Sequence, residues 1–464
     1  MQKAKLTAAL TLLVTMFAAA SCGGTARVPG NNRHQAIAEA VREGLQNSQA
    51  GAAGFGAAPQ YHGEVEGSHK PDTLMTITLE GEECTFADHA DYGIYVPSTA
   101  KQIHGVMVFQ HGCSQEEFGL SRHCDVQYQA FARKWNLAIV ETNIYGLCDI
   151  WAFPENGSYK ALLLALARAG AKTSHSELPQ APFLLWGHSG GGLWVLAMLN
   201  QHPERILSAV CYSAAWDPQW DYLPEAFDVP VILRHAGPGE GADNIPATAR
   251  HTFAKLRSNN APASIAFTRG QGHNYSFMRT MTIPFWEASL KQRLADDGTL
   301  RPLDPQKTWL GDTITFEIFR EADYQGCKTA LCRLPDRECA EAWSEYASSG
   351  KVTDKTPPQT PYNLKLETDG DSLKISWMAE ADIESGIGCF QIYINGEQVG
   401  RIPEQGNYQE YDHNGDQARP VNPPAMSFYT ALPASLTTIA VEAINRDGLA
   451  SAKAELVFKP QQAK

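Results

Sequence analysis

The segment Phe183-Leu-Leu-Trp-Gly-His-Ser-Gly-Gly-Gly-Leu-Trp-Val-Leu constrains this chain more than any other. An apolar run leads into Gly187-His188-Ser189-Gly190-Gly191-Gly192, and a second apolar run, Leu193–Leu199, follows at once. The first has the length of a buried strand and the second continues as a helix. So tight a strand-to-helix turn needs glycine, because side chains at Gly187 or Gly191 would clash and the residue between them takes a strained backbone. A strand that hands over directly to a helix belongs to a parallel sheet. The middle of the chain repeats the alternation, with short apolar runs at Gly105–Gln110, Leu137–Glu141, Phe183–Trp186, Ile206–Tyr212, Val229–Arg234 and Ser264–Thr268. This predicts an α/β domain over residues 73–296, a mostly parallel sheet with helices on both faces.

The pentapeptide G-x-S-x-G is short enough to occur by chance, so its weight comes from its flanks. With a strand before it and a helix after it, it reads as a nucleophile elbow that presents Ser189 at the top of the sheet. The plainer alternative is a glycine-rich turn that only packs against a neighbour. Upstream, Val106-Met-Val-Phe-Gln-His111-Gly112-Cys113 is an apolar strand ending in His-Gly. From that place one backbone N–H can reach an oxyanion, with the second coming from the residue after the nucleophile, which nominates Cys113 and Gly190. His273 stands in Thr268-Arg-Gly-Gln-Gly-His, just beyond the last predicted strand, where a general base is expected. His111 and His188 already occupy the strand end and the elbow, His251 falls on a predicted helix, and His235 competes less well. The loop between Arg234 and His273 offers two acids, Glu240 and Asp243, with Asp217 a distant third. A solvated acidic loop is the alternative to any catalytic role for them.

Two further motifs narrow the reading. His111-Gly-Cys113-Ser-Gln115 and Gly146-Leu-Cys148-Asp-Ile-Trp151 together resemble the H-G-C-x-Q and C-x-x-W pair of the polyhydroxybutyrate depolymerase and feruloyl esterase group. The resemblance runs over roughly residues 105–280. It implies an α/β-hydrolase fold, ester substrates and a Cys113–Cys148 disulfide that staples the oxyanion loop. It also implies Asp243 as the acid, because Ala242-Asp-Asn-Ile-Pro246 is similar to that group's A-D-N-x-P loop. Ser189 would then attack the ester carbonyl, His273 would carry the proton and Asp243 would orient the imidazole, with no metal or organic cofactor. The rivals are a serine peptidase of the same fold and a non-catalytic surface binding protein, since fold alone does not fix function.

Outside this domain the chain changes character. Lys3 and Lys5 precede an apolar run, Leu6–Ala20, that closes on Ala19-Ala20-Ser21-Cys22. This is the pattern of an export signal, and it resembles a bacterial lipoprotein signal, which implies acylation of Cys22 and attachment to a bacterial membrane facing periplasm or cell surface. The alternative is ordinary cleavage with Cys22 a bystander. Residues 1–22 are thus the predicted signal, and 23–72, rich in Gly, Ala, Asn and Gln with one possible helix at His34–Leu45, a flexible tether. Residues 297–353 read as a connector with a helix at Cys339–Tyr346, and Asp354-Lys-Thr-Pro-Pro-Gln-Thr-Pro as a boundary. Beyond it, alternating runs at Leu373–Trp377, Phe390–Ile394, Thr437–Val441 and Ala454–Phe458 predict an antiparallel sandwich. Over 354–460 the T-P-P-x-x-P opening, I-S-W and F-x-I-Y strands and N-R-D-G turn resemble a fibronectin type III domain, with Cys389 a buried free thiol. Every site candidate precedes residue 280, so this module is expected to be dispensable for chemistry.

With 51 acidic and 38 basic residues the net charge is −13, and no basic stripe exists for a nucleic-acid partner. Ten cysteines are present; apart from Cys22, most are expected to pair in an oxidising compartment, with at least one left over. Cys327, Cys332 and Cys339 lack a paired C-x-x-C spacing and a nearby His, so a local disulfide is expected there rather than a metal site.

Overall fold

The computed structural model describes residues 72–460 apart from 114–121, 215–219, 237–239, 241–243, 269–271, 274–278, 296 and 409–424. Cys22, the predicted signal and nearly all of the tether therefore lie outside the described residues. The first domain runs β1 (Thr73–Glu80), β2 (His89–Val96), β3 (Gly105–Gln110), α1 (Val126–Trp135), β4 (Leu137–Tyr145), α2 (Cys148–Trp151), α3 (Ser158–Thr173), β5 (Phe183–His188), α4 (Gly190–Gln201), β6 (Ile206–Tyr212), β7 (Val231–His235), α5 (Asn244–Ser258), β8 (Ala263–Phe267) and α6 (Arg279–Arg293).

The eight strands form one sheet in the order β1-β2-β4-β3-β5-β6-β7-β8. From β4 to β8 every neighbouring pair is parallel, and β2 is antiparallel to both its neighbours. Strands β3, β5 and β6 are buried along their whole length, which explains their unbroken apolar sequences: helices cover both faces. Helix α4 is buried from Gly190 to Leu199, so it too is apolar all round. Helix α1 starts where the Asp125 carboxylate accepts the N–H groups of Gln127 and Tyr128, and it ends at Asn136 with φ 53°. Strand β4 runs beyond the expected Glu141 to Tyr145 because β2 pairs with its polar end.

Residues 297–353 are more than a connector. Their three short strands, β9 (Trp309–Gly311), β10 (Ile318–Arg320) and β11 (Cys332–Leu334), form a small sheet followed by α7 (Arg337–Ser349). This layer shares the main hydrophobic core and covers the β8 edge, with the Trp343 indole N–H donating to Ile265 O at 2.9 Å. The expected cysteine pairing fails here: Cys327 is exposed, while Cys332 and Cys339 are buried, and all three are unpaired. Cys332 sits in a strand, its sulfur 3.3 Å from the Ile265 N–H, and Cys339 lies within α7, so each is committed to apolar packing instead. Among the described cysteines the one disulfide is Cys113–Cys148, which also corrects the expectation that most would pair.

The C-terminal part is all β: β12 (Tyr362–Asp369), β13 (Ser372–Met378), β14 (Ile387–Ile394), β15 (Glu397–Ile402), β16 (Ser427–Ala431), β17 (Thr437–Asn445) and β18 (Ala454–Phe458). They form two antiparallel sheets, β12-β13-β16 and β15-β14-β17-β18, around a core that includes Leu373, Ile375, Trp377, Phe390 and Val441. Cys389 is buried and unpaired, as expected. The β13–β14 connection rests on α1: Gln127 Nε2 donates to Ile383 O at 2.6 Å, and Arg133 pairs with Glu380 at 2.5 Å.

Candidate active site

Parallel strands bring their C-terminal ends to one edge, and the loops leaving those ends gather the candidate residues. Ser189 follows β5 with φ 54° and ψ −113°, a conformation that L residues adopt only at a cost of about 1–3 kcal/mol. Its N–H is held by Tyr212 O of β6 at 2.9 Å. The glycines around it are required by contact. A Cβ at Gly187 would lie 2.1 Å from Gly191 O, and one at Gly191 would lie 2.3 Å from Gln110 O.

Gly190 is hemmed in by sulfur. A Cβ there would lie 2.2 Å from Cys148 Sγ, 2.5 Å from Cys113 Sγ and 3.3 Å from the Cys113 backbone nitrogen. The Cys113–Cys148 disulfide therefore lies directly on the residue after the serine, and the backbone of Cys113 packs against Gly190. Gly190 is also the first residue of α4, so its N–H is one of the four that a helix leaves unbonded. Behind the loop, His111 fixes the β3 end. Its Nδ1–H donates to Gly112 O at 2.6 Å and its Nε2 accepts the Ile144 N–H at 2.8 Å. Burial pushes this imidazole down to about 4, against the favourable Gly112 hydrogen bond, so it is a neutral structural link between β3 and β4.

His273 is half-buried beside His188. His188 ties it there: its Nε2–H donates to His273 O at 2.8 Å, and the two rings lie 4.6 Å apart. Burial, together with the neighbouring His273, holds His188 well below the ordinary histidine value, which keeps it a neutral donor. Facing His273 Nδ1 at 3.7 Å is Glu240 Oε1. That separation is an electrostatic contact, longer than a formed hydrogen bond; catalytic hydrogen bonds are often long in unliganded sites.

Glu240 is 2% exposed and well satisfied. Oε2 accepts the Ala236 N–H at 2.6 Å. Oε1 accepts from Arg234 Nη1 at 2.9 Å and from the Ser213 hydroxyl. Burial raises its pKa, but His273, Ser213, the Ala236 N–H and the Arg234 charge outweigh that and hold it below the usual glutamate value. Asp243 and Asp217 lie outside the described residues. The structure thus brings Ser189, His273, Glu240, Gly190 and Cys113 to one edge, with Gly187, His188 and Gly191 shaping the turn. Sequence reasoning missed Arg234 and Ser213. One signal was available for the first: an arginine near the end of the otherwise apolar run Val229-Pro-Val-Ile-Leu.

The sheet order, with a strained serine between β5 and its following helix, fits the α/β-hydrolase fold. No protein-family model and no curated protein matches the sequence. Among solved structures, the chain is similar to an S-formylglutathione hydrolase from Agrobacterium tumefaciens, at 13% identity and TM-score 0.34, over 47% of this chain and 95% of that one. A ferulic acid esterase aligns at 14% identity and TM-score 0.32, over 47% and 95%. A fibronectin-III array of RIM-binding protein aligns at 17% identity and TM-score 0.17, over 24% and 38%.

Proposed function

We propose that this chain is an exported, lipid-anchored serine hydrolase acting on carboxylic esters, with Ser189 as nucleophile, His273 as base and Glu240 as acid. What supports the reading is a strained Ser189 followed by Gly190, which packs on Cys113, together with a histidine held by the neighbouring His188 and facing a buried carboxylate. Ser189 Oγ attacks the ester carbonyl carbon while its proton passes to His273. The Gly190 and Cys113 N–H groups receive the negative charge that develops on the carbonyl oxygen. Collapse of the tetrahedral intermediate expels the alcohol, which takes the proton from His273, and leaves an acyl-serine. Water then repeats the sequence and frees the carboxylic acid. Glu240 orients the imidazole and stabilises its cation without taking the proton.

Glu240 is preferred to Asp243 because it faces His273 Nδ1 and is held ionised by three donors. The signal-like segment ending at Cys22 supports attachment to a bacterial membrane by lipid on that residue, and the strand motifs of 354–460 support a fibronectin type III-like module. A panel of esters varied in acyl and alcohol groups, run beside peptide amides, tests the assignment. Turnover of esters that is abolished in Ser189→Ala supports it; turnover of amides alone makes the protein a peptidase instead.

A further inference from the structure

We propose that Arg234 is a positioning residue of this site, a buried cation that holds the acid and the base-bearing loop together and offsets the acid's charge. The proposal rests on the assignment of Glu240 and His273 made above.

Arg234 is the penultimate residue of β7 and is 0% exposed. Its guanidinium reaches the acid and the loop that carries the base. Nη1 donates to Glu240 Oε1 at 2.9 Å and to Ser213 Oγ at 2.8 Å. Nη1 and Nη2 lie 3.5 and 3.4 Å from the carbonyl of Gly272, the residue before His273. Nε donates to Thr268 Oγ1 at 3.2 Å, where the same loop leaves β8. Its Cζ lies 4.4 Å from the centroid of the Tyr212 ring, and it is Tyr212 O that holds the Ser189 N–H. An apolar side chain would fill a β7 position without the desolvation that a buried charge suffers. A planar fork with five donors is also the one side chain able to span carboxylate, hydroxyl and carbonyl at once.

The chemical consequence follows from which oxygen is used. Oε1, the oxygen facing His273, is also the one to which Arg234 and Ser213 donate. The carboxylate therefore stays ionised, and its charge is already partly offset before the imidazole becomes a cation. The other titratable groups facing this cluster among the described residues include Tyr212, Tyr346, whose hydroxyl lies 2.9 Å from Thr268 Oγ1, His235 and His188, with Arg250 and Arg122 acting on the two histidines. Burial pushes His235 down to about 4 and His188 well below its ordinary value, so Arg234 is the permanent positive charge at the acid.

Arg234→Met and Arg234→Lys in the full chain test this, with the His273 imidazole followed by NMR in protein carrying ¹³C-labelled histidine. In Arg234→Met the His273 titration midpoint rises by about one pH unit, the size of effect expected when a charge a few ångströms away is lost. In the same variant kcat falls at least tenfold while KM changes less than twofold. Arg234→Lys keeps the midpoint within about 0.3 pH units, yet loses about fivefold or more in kcat, because one ammonium cannot span Glu240 and Gly272 O. An unchanged midpoint in folded Arg234→Met overturns the proposal. If that variant does not fold, wild-type kcat in Arg234→Lys overturns it. Fluorophosphonate labelling of the wild type is read in parallel: its absence defeats the hydrolase reading, while the titration still decides whether Arg234 offsets Glu240.

Discussion

The contact between Gly190 and the Cys113–Cys148 disulfide allows a double-mutant cycle to be written from the geometry. In Gly190→Ala the new methyl would lie 2.2 and 2.5 Å from the two sulfurs. A disulfide bonded between the loop after β3 and the start of α2 has little room to yield, so overpacking of about 1–3 kcal/mol is expected. The same shift displaces two oxyanion donors, and losing the use of one such donor costs about 10²–10³ in kcat. Replacing both cysteines by alanine removes the obstruction and also opens a loop closed across 35 positions of sequence. The entropic model puts that loss at about 4 kcal/mol, arising in the unfolded chain. The two changes are therefore not additive. Added to the double-alanine background, Gly190→Ala should cost less than about 0.5 kcal/mol, a coupling of about 0.5–3 kcal/mol. Urea unfolding followed by tryptophan fluorescence gives the stabilities and ester turnover gives the kinetic arm. An equal cost of Gly190→Ala in both backgrounds would refute the reasoning, because the disulfide would not be what that residue packs against.

Glu240→Gln should lower kcat by about 10³–10⁴ by removing the orienting charge, and should cost about 3–5 kcal/mol by leaving Arg234 buried without its anion; Asp243→Asn should be nearly silent in both measurements, and the reverse pattern would return the acid to Asp243. His111 and His235 are pushed by burial to about 4, below the ordinary histidine value of 6.5. Their folded-state values lie below the unfolded one, so their contribution is complete above about pH 6.5 and is lost as the pH falls towards 4. The free energy of unfolding should drop through that window by up to about 1.4 kcal/mol per pH unit for each such imidazole, with His188 acting in the same sense and Asp382, raised to about 7 by burial, in the opposite one; a pH profile unchanged in His111→Gln would count against it. A chain ending at Gly350 loses the Glu380 partner of Arg133 and the Ile383 carbonyl held by Gln127. It should melt at lower temperature yet keep its turnover on small soluble esters below that point, and a folded but inactive product would give the sandwich a part in forming the site.

The legible parts were those where one physical demand dominates. Strands β3, β5 and β6 lie inside a covered parallel sheet, so their apolar runs match the observed strands nearly residue for residue. The elbow was readable because only glycine tolerates the contacts at Gly187 and Gly191. The β1–β2 hairpin was not, since its solvent-facing strand mixes polar and apolar residues and gives no run. The acid stayed open because Glu240 and Asp243 share one loop, and which carboxylate faces His273 depends on the path of that loop in space. Arg234 escaped because a charge within an apolar strand has meaning only once Ser213, Glu240 and Gly272 surround it. The cysteine cluster misled for the opposite reason. Closeness in sequence suggested a bridge, whereas Cys332 and Cys339 are both buried in the main core without bonding to each other and Cys327 stays at the surface.

The central claim is that Ser189 is the nucleophile of a serine hydrolase, and covalent trapping tests it most directly. Wild-type protein incubated with a fluorophosphonate should gain the mass of a single phosphonyl group with parallel loss of ester hydrolysis. Digestion should place the adduct on the peptide containing Ser189, and neither Ser189→Ala nor His273→Ala should label at a comparable rate. An unlabelled wild type, or an adduct on another serine that persists in Ser189→Ala, would contradict the account.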